Sequence, residues 1–165
     1  MPTAWLLRPI RPADDVHVAT TIREVMTEHA CTGEGFAIHD PEVAQMSDNY
    51  PAPSARYYVV VDPAGQVVGG AGFARLHGTT AEQATCELRK MYFRPAARGQ
   101  GLAAQLLALL LDAKRGEMVV DCYLETTSWM QAAQRLYERH GFSTLPAAEG
   151  CTGHHGCDRF YARSL

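Results

Sequence analysis

The sequence has no block of like charge, no long apolar run and no linker between two halves. Its 15 basic and 18 acidic residues leave a formal charge of −3, which does not indicate a nucleic-acid or membrane-surface binder. The longest apolar-rich run, residues 101–111, is too short to span a bilayer. Apolar residues make up 47% of the chain, so a folded core is expected rather than disorder. Residues 1–165 are predicted to form a single domain.

The cysteines give no disulfide pattern, because their number, five, is odd and they are not arranged in paired motifs. Cys86 and Cys122 lie in apolar, strand-like runs, which is typical of small buried side chains. Residues 1–10 do not show the charged start and long apolar stretch of a signal peptide. The sequence therefore predicts a cytoplasmic, reducing environment.

The order of the predicted elements indicates the fold class. Runs of β-branched and aromatic residues predict strands at residues 5–10, 56–61, 66–76, 82–93, 118–125 and 160–165. Apolar residues at helical spacing predict helices beginning at Asp14 or Asp15 and spanning residues 99–114 and 129–140. Hairpins come first and strand–helix–strand units later, which predicts a mixed α/β sheet with helices on both faces. Three glycines at positions 69, 70 and 72 indicate a weak strand, a bend or a close backbone approach.

The turn before the helix at residues 99–114 is the candidate ligand site. Gly99 and Gly101 leave backbone N–H groups accessible beside the positive end of a helix dipole, and Arg98 adds a charged donor. This combination is suited to phosphate. The alternative is an ordinary glycine turn with Arg98 on the surface. The sequence lacks the Gly-Lys-Ser/Thr of a Walker loop and the third glycine of a Rossmann fingerprint.

Two blocks of the sequence resemble the GNAT superfamily of N-acetyltransferases. Residues 98–103, Arg-Gly-Gln-Gly-Leu-Ala, resemble its Arg/Gln-x-x-Gly-x-Gly/Ala signature, and the strand at 87–92 before them is similar to a bacterial subgroup. The second block comprises residues 123–127 and then Met130, Ala133, Leu136, Tyr137, Gly141 and Phe142. The resemblance covers nearly the whole chain. It implies an acyl-CoA N-acyltransferase fold, whose mostly antiparallel sheet splays between two parallel strands.

The resemblance also implies acetyl-CoA as co-substrate and no metal. The backbone at residues 91–93 would hold the pantetheine arm, and residues 98–103 the pyrophosphate. The implied cofactor-binding residues are Met91, Tyr92, Phe93, Arg98, Gly99, Gln100, Gly101, Leu102, Ala103 and Ala133. Met130 stands where many members have an asparagine that contacts the cofactor, and a methionine can only pack there.

Tyr137 and Glu87 are the candidate catalytic residues. By resemblance, Tyr137 is the general acid near the thioester sulfur. The alternative is a core aromatic, because a tyrosine on this apolar helix face is often only packing. Glu87 is the candidate general base, and its alternative is a strand glutamate paired with a neighbouring cation. Glu28, Glu125 and a water chain are weaker alternatives for the base. No cysteine stands at a nucleophile position, so direct transfer to a primary amine is expected.

Other functions and partners stay open. The same fold could serve as a non-catalytic acetyl-CoA sensor, or could use another acyl donor or an oxygen acceptor. The expected partner is a small-molecule or peptide amine, with no nucleic acid and no membrane, and the fold is compatible with a homodimer. Cys151, His154, His155 and Cys157 lie in a loop whose spacing does not match zinc motifs. That loop is interpreted as lying near the acceptor or as a plain connection.

Overall fold

The computed structural model describes residues 4–114, 117 and 119–165. In this part of the chain, seven strands form one sheet in the order β1-β2-β3-β4-β5-β7-β6. The strands are β1 (Leu6–Pro9), β2 (Arg56–Val61), β3 (Val67–Arg75), β4 (Thr85–Phe93), β5 (Asp121–Thr126), β6 (Ser143–Leu145) and β7 (Arg159–Ser164). Among these strands, β4 and β5 pair in parallel, and the other neighbours pair antiparallel. The predicted mixed sheet is confirmed.

Helices cover the sheet on both sides, and each side has its own apolar core. The helices are α1 (Asp15–Glu28), α2 (Met46–Asn49), α3 (Leu102–Lys114) and α4 (Gln131–Arg139). On α1, Val18, Ile22 and Met26 recur at helical spacing and pack in one core cluster. Five of the six leucines of α3 pack in the other cluster, together with Leu136 and Tyr137 of α4, whereas Leu109 is exposed. None of the described helices is long and apolar enough to cross a bilayer.

The glycines of β3 mark a close backbone approach, as one of the sequence interpretations proposed. A Cβ atom added at Gly70 would lie 2.6 Å from the Tyr57 ring and 2.7 Å from the Tyr58 carbonyl oxygen. Real Cβ atoms are not found at such distances. The Tyr57 ring and the β2 backbone can therefore approach β3 this closely only because Gly70 has no side chain.

A β-bulge at Lys90 opens the sheet between β4 and β5. The two strands pair only from Thr85 to Glu87 of β4. Beyond that point the register between β3 and β4 shifts, so that Lys90 and Met91 occupy the space of one residue, and Lys90 has a φ of 50°. A bulge bends the strand that carries it. The sheet therefore splays at the point that the family resemblance implies.

Buried contacts hold the bulge in place. The side chain of Lys90 is 1% exposed, and its Nζ donates to Asp40 Oδ2 at 2.7 Å and also to Glu42. Tyr57 donates from its hydroxyl to the carbonyl oxygen of Lys90 at 2.9 Å. Removing one partner of a buried ion pair is costly because the other charge stays desolvated. These contacts fix residues 40–42 next to the splay.

Some local predictions were wrong. Ser128 and Gln131 fit the sequence pattern of a capping box, but the box does not form, because α4 begins at Gln131 without a side-chain cap and the Ser128 N–H donates to Asp158 Oδ1 at 2.7 Å. The short strand β6 was not predicted. The sequence also predicts that Gly141 ends this helix, and this prediction was correct, since Gly141 has a φ of 83°. The predicted start of β5 at residue 118 lies outside the described residues.

Candidate active site

A cleft of about 540 Å³ opens where β4 and β5 splay, between the first turn of α3 and α4. The predicted cofactor-binding residues converge on it. Those that line the cleft are Met91, Tyr92, Phe93, Arg98, Gly99, Gly101, Leu102, Ala103 and Ala133. Gln100 is exposed and is not among the residues that line it. The volume lies within the range of about 300–1,000 Å³ that is usual for cofactor and ligand sites.

The turn into α3 presents open backbone to this cleft. Gly99 and Gly101 have φ angles of 73° and 74°, which favour glycine. A Cβ atom added at Gly99 would have none of the described atoms within 4 Å, and one at Gly101 would reach only Gln105, at 3.9 Å. The first amides of α3 lack helical partners and carry the positive end of its dipole. An anion can therefore approach the main chain here without meeting a side chain.

Arg98 borders the turn and is held by Glu28. Its two terminal nitrogens donate to the Glu28 carboxylate at 2.6 and 2.7 Å, and its Nε donates to the Phe93 carbonyl oxygen at 2.9 Å. The bond to Arg98 lowers the pKa of Glu28. Both side chains are more than a third exposed, so the pair is weak and can exchange for another anion. Glu28 thus lies beside the turn that leads into α3.

A second cavity, of about 60 Å³, lies on the other side of Tyr137. Its charged lining residues are Glu87, Arg89, Lys90, Glu125 and His154. Four residues line both spaces: Met91, Tyr92, Met130 and Tyr137. The two cavities therefore meet at one wall, and Tyr137 is part of it.

Tyr137 belongs to the core and to the site at once. It is 6% exposed, and its ring centroid lies 6.0 Å from that of Phe142 and 6.2 Å from that of Tyr161. These tilted and edge contacts are the arrangements that aromatic pairs prefer. Burial raises the pKa of the phenol, so the hydroxyl keeps its proton at neutral pH. The ring is rigidly placed, and its hydroxyl is a proton donor at neutral pH.

Glu87 lies on β4 opposite Tyr123 of β5, at the last pair before the splay. It is 3% exposed and lines the small cavity. Arg89 donates to it from Nε at 2.6 Å, so the ion-pair interpretation and the cavity location both hold. Burial raises the pKa of Glu87, and the charge of Arg89 opposes that shift.

Glu125 lies on β5, across the splay from Glu87. Its carboxylate accepts hydrogen bonds from the hydroxyls of Tyr123, at 2.7 Å, and Thr152, at 2.8 Å. No cation among the described residues is paired with it. Two residues further on, Thr127 also lines the cavity, and its buried hydroxyl has no hydrogen-bond partner in the described part of the chain.

Two loops close the small cavity. His154, in the loop between β6 and β7, contacts Asp40 through Nε2 at 2.9 Å, and the Gly156 N–H donates to the Gly35 carbonyl oxygen at 3.0 Å. Phe36 lines the cavity and packs edge-on against Trp129, at a centroid distance of 6.4 Å. The loop with Cys151 and Cys157 is therefore next to the cavity, as one interpretation proposed.

The cysteines of this loop are free thiols, Cys151 on the surface and Cys157 in the cavity lining. Burial raises the pKa of Cys157 to about 12. A thiol with that pKa is not ionised at neutral pH and is a poor nucleophile. Within residues 4–114, 117 and 119–165, the structure places no three histidine, cysteine or acidic side chains together around a metal-sized space.

Sequence reasoning missed several residues of the small cavity. Asp40, Lys90 and His154 form one buried network although they are 50 and 64 positions apart in the chain. Nothing local in the sequence indicates such a contact. Arg89 could have been found, since it lies two residues after Glu87 on a strand where alternate residues share a face. Thr127 lies two residues after Glu125, just beyond the end of β5.

Comparisons with known proteins agree with this geometry. The acetyltransferase (GNAT) family profile matches residues 22–142. YjgM, an uncharacterized N-acetyltransferase of Escherichia coli strain K12, is 39% identical over 165 residues, which cover 99% of this chain and 97% of YjgM.

Solved structures share the fold at low identity. An acetyltransferase of the GNAT family from Staphylococcus aureus Mu50 has a TM-score of 0.83 at 18% identity, covering 98% of this chain and 99% of its own. The yncA protein from Salmonella typhimurium, solved with its cofactor acetyl-CoA, has a TM-score of 0.75 at 22% identity, covering 98% and 94%. The predicted family and fold are confirmed: the chain belongs to the acetyltransferase (GNAT) family and is an acyltransferase.

Proposed function

We propose that this acyltransferase binds acetyl-CoA in the large cleft and transfers its acetyl group directly to a primary amine in the small cavity. One observation carries the proposal. Tyr137 lines both cavities, and its phenol is protonated at neutral pH. A thioester reaching the common wall of the cavities from one side and an amine from the other would meet beside a proton donor.

The large cleft suits the two ends of coenzyme A. The diphosphate would bind the open amides between Gly99 and Ala103, with Arg98 exchanging Glu28 for phosphate. Pairing between β4 and β5 ends at Glu87, so the edge of β4 at residues 91–93 is open. The amide groups of pantetheine can hydrogen-bond to such an edge as an added strand does. The yncA protein, which shares this fold, binds acetyl-CoA.

The residues at the wall provide the proton transfers that the reaction needs. An alkyl ammonium has a pKa near 10.4 and must lose a proton before it can attack. Glu87 would take that proton, directly or through water, and its raised pKa brings it closer to the working pH. The amine nitrogen then bonds to the thioester carbonyl carbon, and a backbone N–H at the splay stabilises the oxyanion. When the C–S bond breaks, the departing thiolate takes the proton of the Tyr137 hydroxyl, and the second proton that the attacking nitrogen loses in becoming an amide restores that hydroxyl.

Two measurements test the proposal. Calorimetry with coenzyme A should show binding, and acetyl-CoA with a panel of primary amines should release thiol and give acetylated product. Absence of binding to folded protein would overturn the proposal. Binding without turnover on any amine would favour the sensor alternative, and faster reaction with propionyl-CoA or with alcohols would reassign the donor or acceptor.

A cytoplasmic location fits the five free cysteines.

A further inference from the structure

The cations around the small cavity are all engaged by protein carboxylates or backbone. Arg89 donates to Glu87 at 2.6 Å and to the Arg75 carbonyl oxygen at 2.8 Å. The ammonium of Lys90 is held by two carboxylates, and His154 contacts Asp40. Each positive charge that borders the cavity therefore already has a negative partner.

The carboxylate of Glu125 differs from the others in the lining. Its two described hydrogen bonds come from neutral hydroxyls, those of Tyr123 and Thr152. These donors orient the carboxylate but do not neutralise it. Glu125 is also near enough to Glu87 for its charge to raise the pKa of that residue. The cavity thus has one negative charge with no cationic partner in the described residues.

A buried hydroxyl belongs to the lining of the same cavity. Thr127 is 1% exposed and lines the cavity, and its Oγ1 has no partner in the described part of the chain. Buried polar atoms are nearly always hydrogen-bonded in native proteins. A polar group bound in the cavity would supply the partner that this hydroxyl lacks among the described residues.

We infer that the small cavity takes a primary amine with no carboxylate within two carbons of its nitrogen, that Glu125 binds the ammonium form, and that Thr127 contributes the second polar contact. The inference rests on the proposed function and narrows it. It favours alkyl amines, amino sugars and peptide N-termini as acceptors over free amino acids.

The exclusion of carboxylates follows from the charge balance. A carboxylate on the acceptor would enter a space with an unneutralised glutamate, and the nearby cations could bind it only by leaving their own partners. A buried carboxylate without a partner is strongly disfavoured. The cavity volume of about 60 Å³ is that of about two waters in the liquid, so an acceptor that fills it displaces the water that would screen the charge. An ammonium group is favoured instead, because it would form an ion pair with the carboxylate of Glu125.

The acceptor pair that tests this is propylamine against β-alanine. The two have the same length and similar basicity, and differ by a carboxylate in place of the terminal methyl. With saturating acetyl-CoA, kcat/KM for propylamine should exceed that for β-alanine by about a hundredfold or more, because a site that leaves a charge unpaired rejects it strongly. A preference for β-alanine, or equal rates, would overturn the inference.

Substitutions at Glu125 separate recognition from other roles. Glu125→Gln should raise KM for propylamine about tenfold or more, the lower end of what a bond to a charged group contributes, while kcat and coenzyme A affinity stay close to wild type. Glu125→Asp should recover part of the loss. Glu82→Gln, an exposed carboxamide control away from both cavities, should change neither value.

The outcomes distinguish this inference from the proposed function. A lower kcat at unchanged KM in Glu125→Gln would make that residue the proton acceptor and overturn the recognition role. An equal loss of amine binding and coenzyme A binding in Glu125→Gln would show that Glu125 has a structural role, which would also overturn the recognition role. If wild-type protein binds no coenzyme A or acetylates no amine, the proposed function itself fails.

Discussion

Replacing Tyr137 by phenylalanine tests the proposed chemistry with the smallest change to the protein. The substitution removes one oxygen atom and keeps a ring that is 6% exposed and packed against Phe142 and Tyr161. Loss of one hydroxyl changes the free energy of unfolding by about 1 kcal/mol. The variant is therefore expected to fold and to bind coenzyme A as the wild type does.

The expected loss of rate is much larger than the loss of stability. Burial raises the pKa of Tyr137, so at neutral pH its hydroxyl carries the proton that the departing thiolate requires. Removal of a positioned general acid lowers kcat by about 10²- to 10⁴-fold. This corresponds to about 3–5 kcal/mol of barrier height.

The assay is thiol release at saturating acetyl-CoA and saturating amine, with coenzyme A affinity measured separately by calorimetry. Tyr161→Phe is the matched control. Tyr161 packs in the same aromatic cluster, but its hydroxyl bonds Gln134 and Glu138 and it lines neither cavity. The control should lose some stability and keep kcat. If Tyr137→Phe kept kcat within about threefold of wild type, a general acid role would be refuted.

Three further predictions concern the base, the turn and the loop. Glu87→Gln should lower kcat about 10²-fold and remove the fall in kcat at acid pH. Burial raises the pKa of Glu87, so in the wild type protonation of this carboxylate stops it from accepting a proton as the pH falls. A variant whose kcat still fell at acid pH as in the wild type would contradict this. Gly101→Ala should weaken coenzyme A binding about tenfold or more, while its φ of 74° costs about 1 kcal/mol of stability; unchanged affinity in calorimetry would exclude the turn as the diphosphate site. Burial lowers the pKa of His154, but the hydrogen bond to Asp40 and the charges of Asp40 and Glu87 together raise it overall. That stabilisation is complete below the unfolded pKa of about 6.5 and is lost as pH rises through the folded pKa. Denaturant unfolding should thus show His154→Gln about 1 kcal/mol less stable than wild type near pH 5.5 and less different near pH 8.5. A difference independent of pH would show that the pair does not titrate.

Local patterns were sufficient for the family, the element types and the large cleft. The glycines at positions 99 and 101 and the apolar helix after them carry their information within a few residues. The structure indeed presents these backbone groups to an open cleft. Tyr137 was also recognisable, because its helix follows β5 directly and its neighbours Ala133 and Leu136 share its apolar face.

The small cavity could not be predicted from local patterns. Whether Glu87 faces a cavity or a cation depends on where β4 leaves β5, and that point is set by the bulge at Lys90. A bulge is a register shift between two strands, so its position depends on both strands and on the contacts that hold the extra residue. For Lys90 these contacts are Asp40, Glu42 and Tyr57.

By itself, then, the sequence determined a mixed α/β sheet and a turn suited to phosphate, because short-range spacing and backbone conformation decide both. The GNAT type of this sheet followed from the resemblance of two sequence blocks to that family. Only the tertiary structure decided which charges around the small cavity are neutralised. Ion pairs such as Lys90–Asp40 join residues that are distant in the chain, and burial determines how strongly each charge is felt. That Glu125 accepts hydrogen bonds only from neutral hydroxyls can be recognised only after the partner of every neighbouring cation is known.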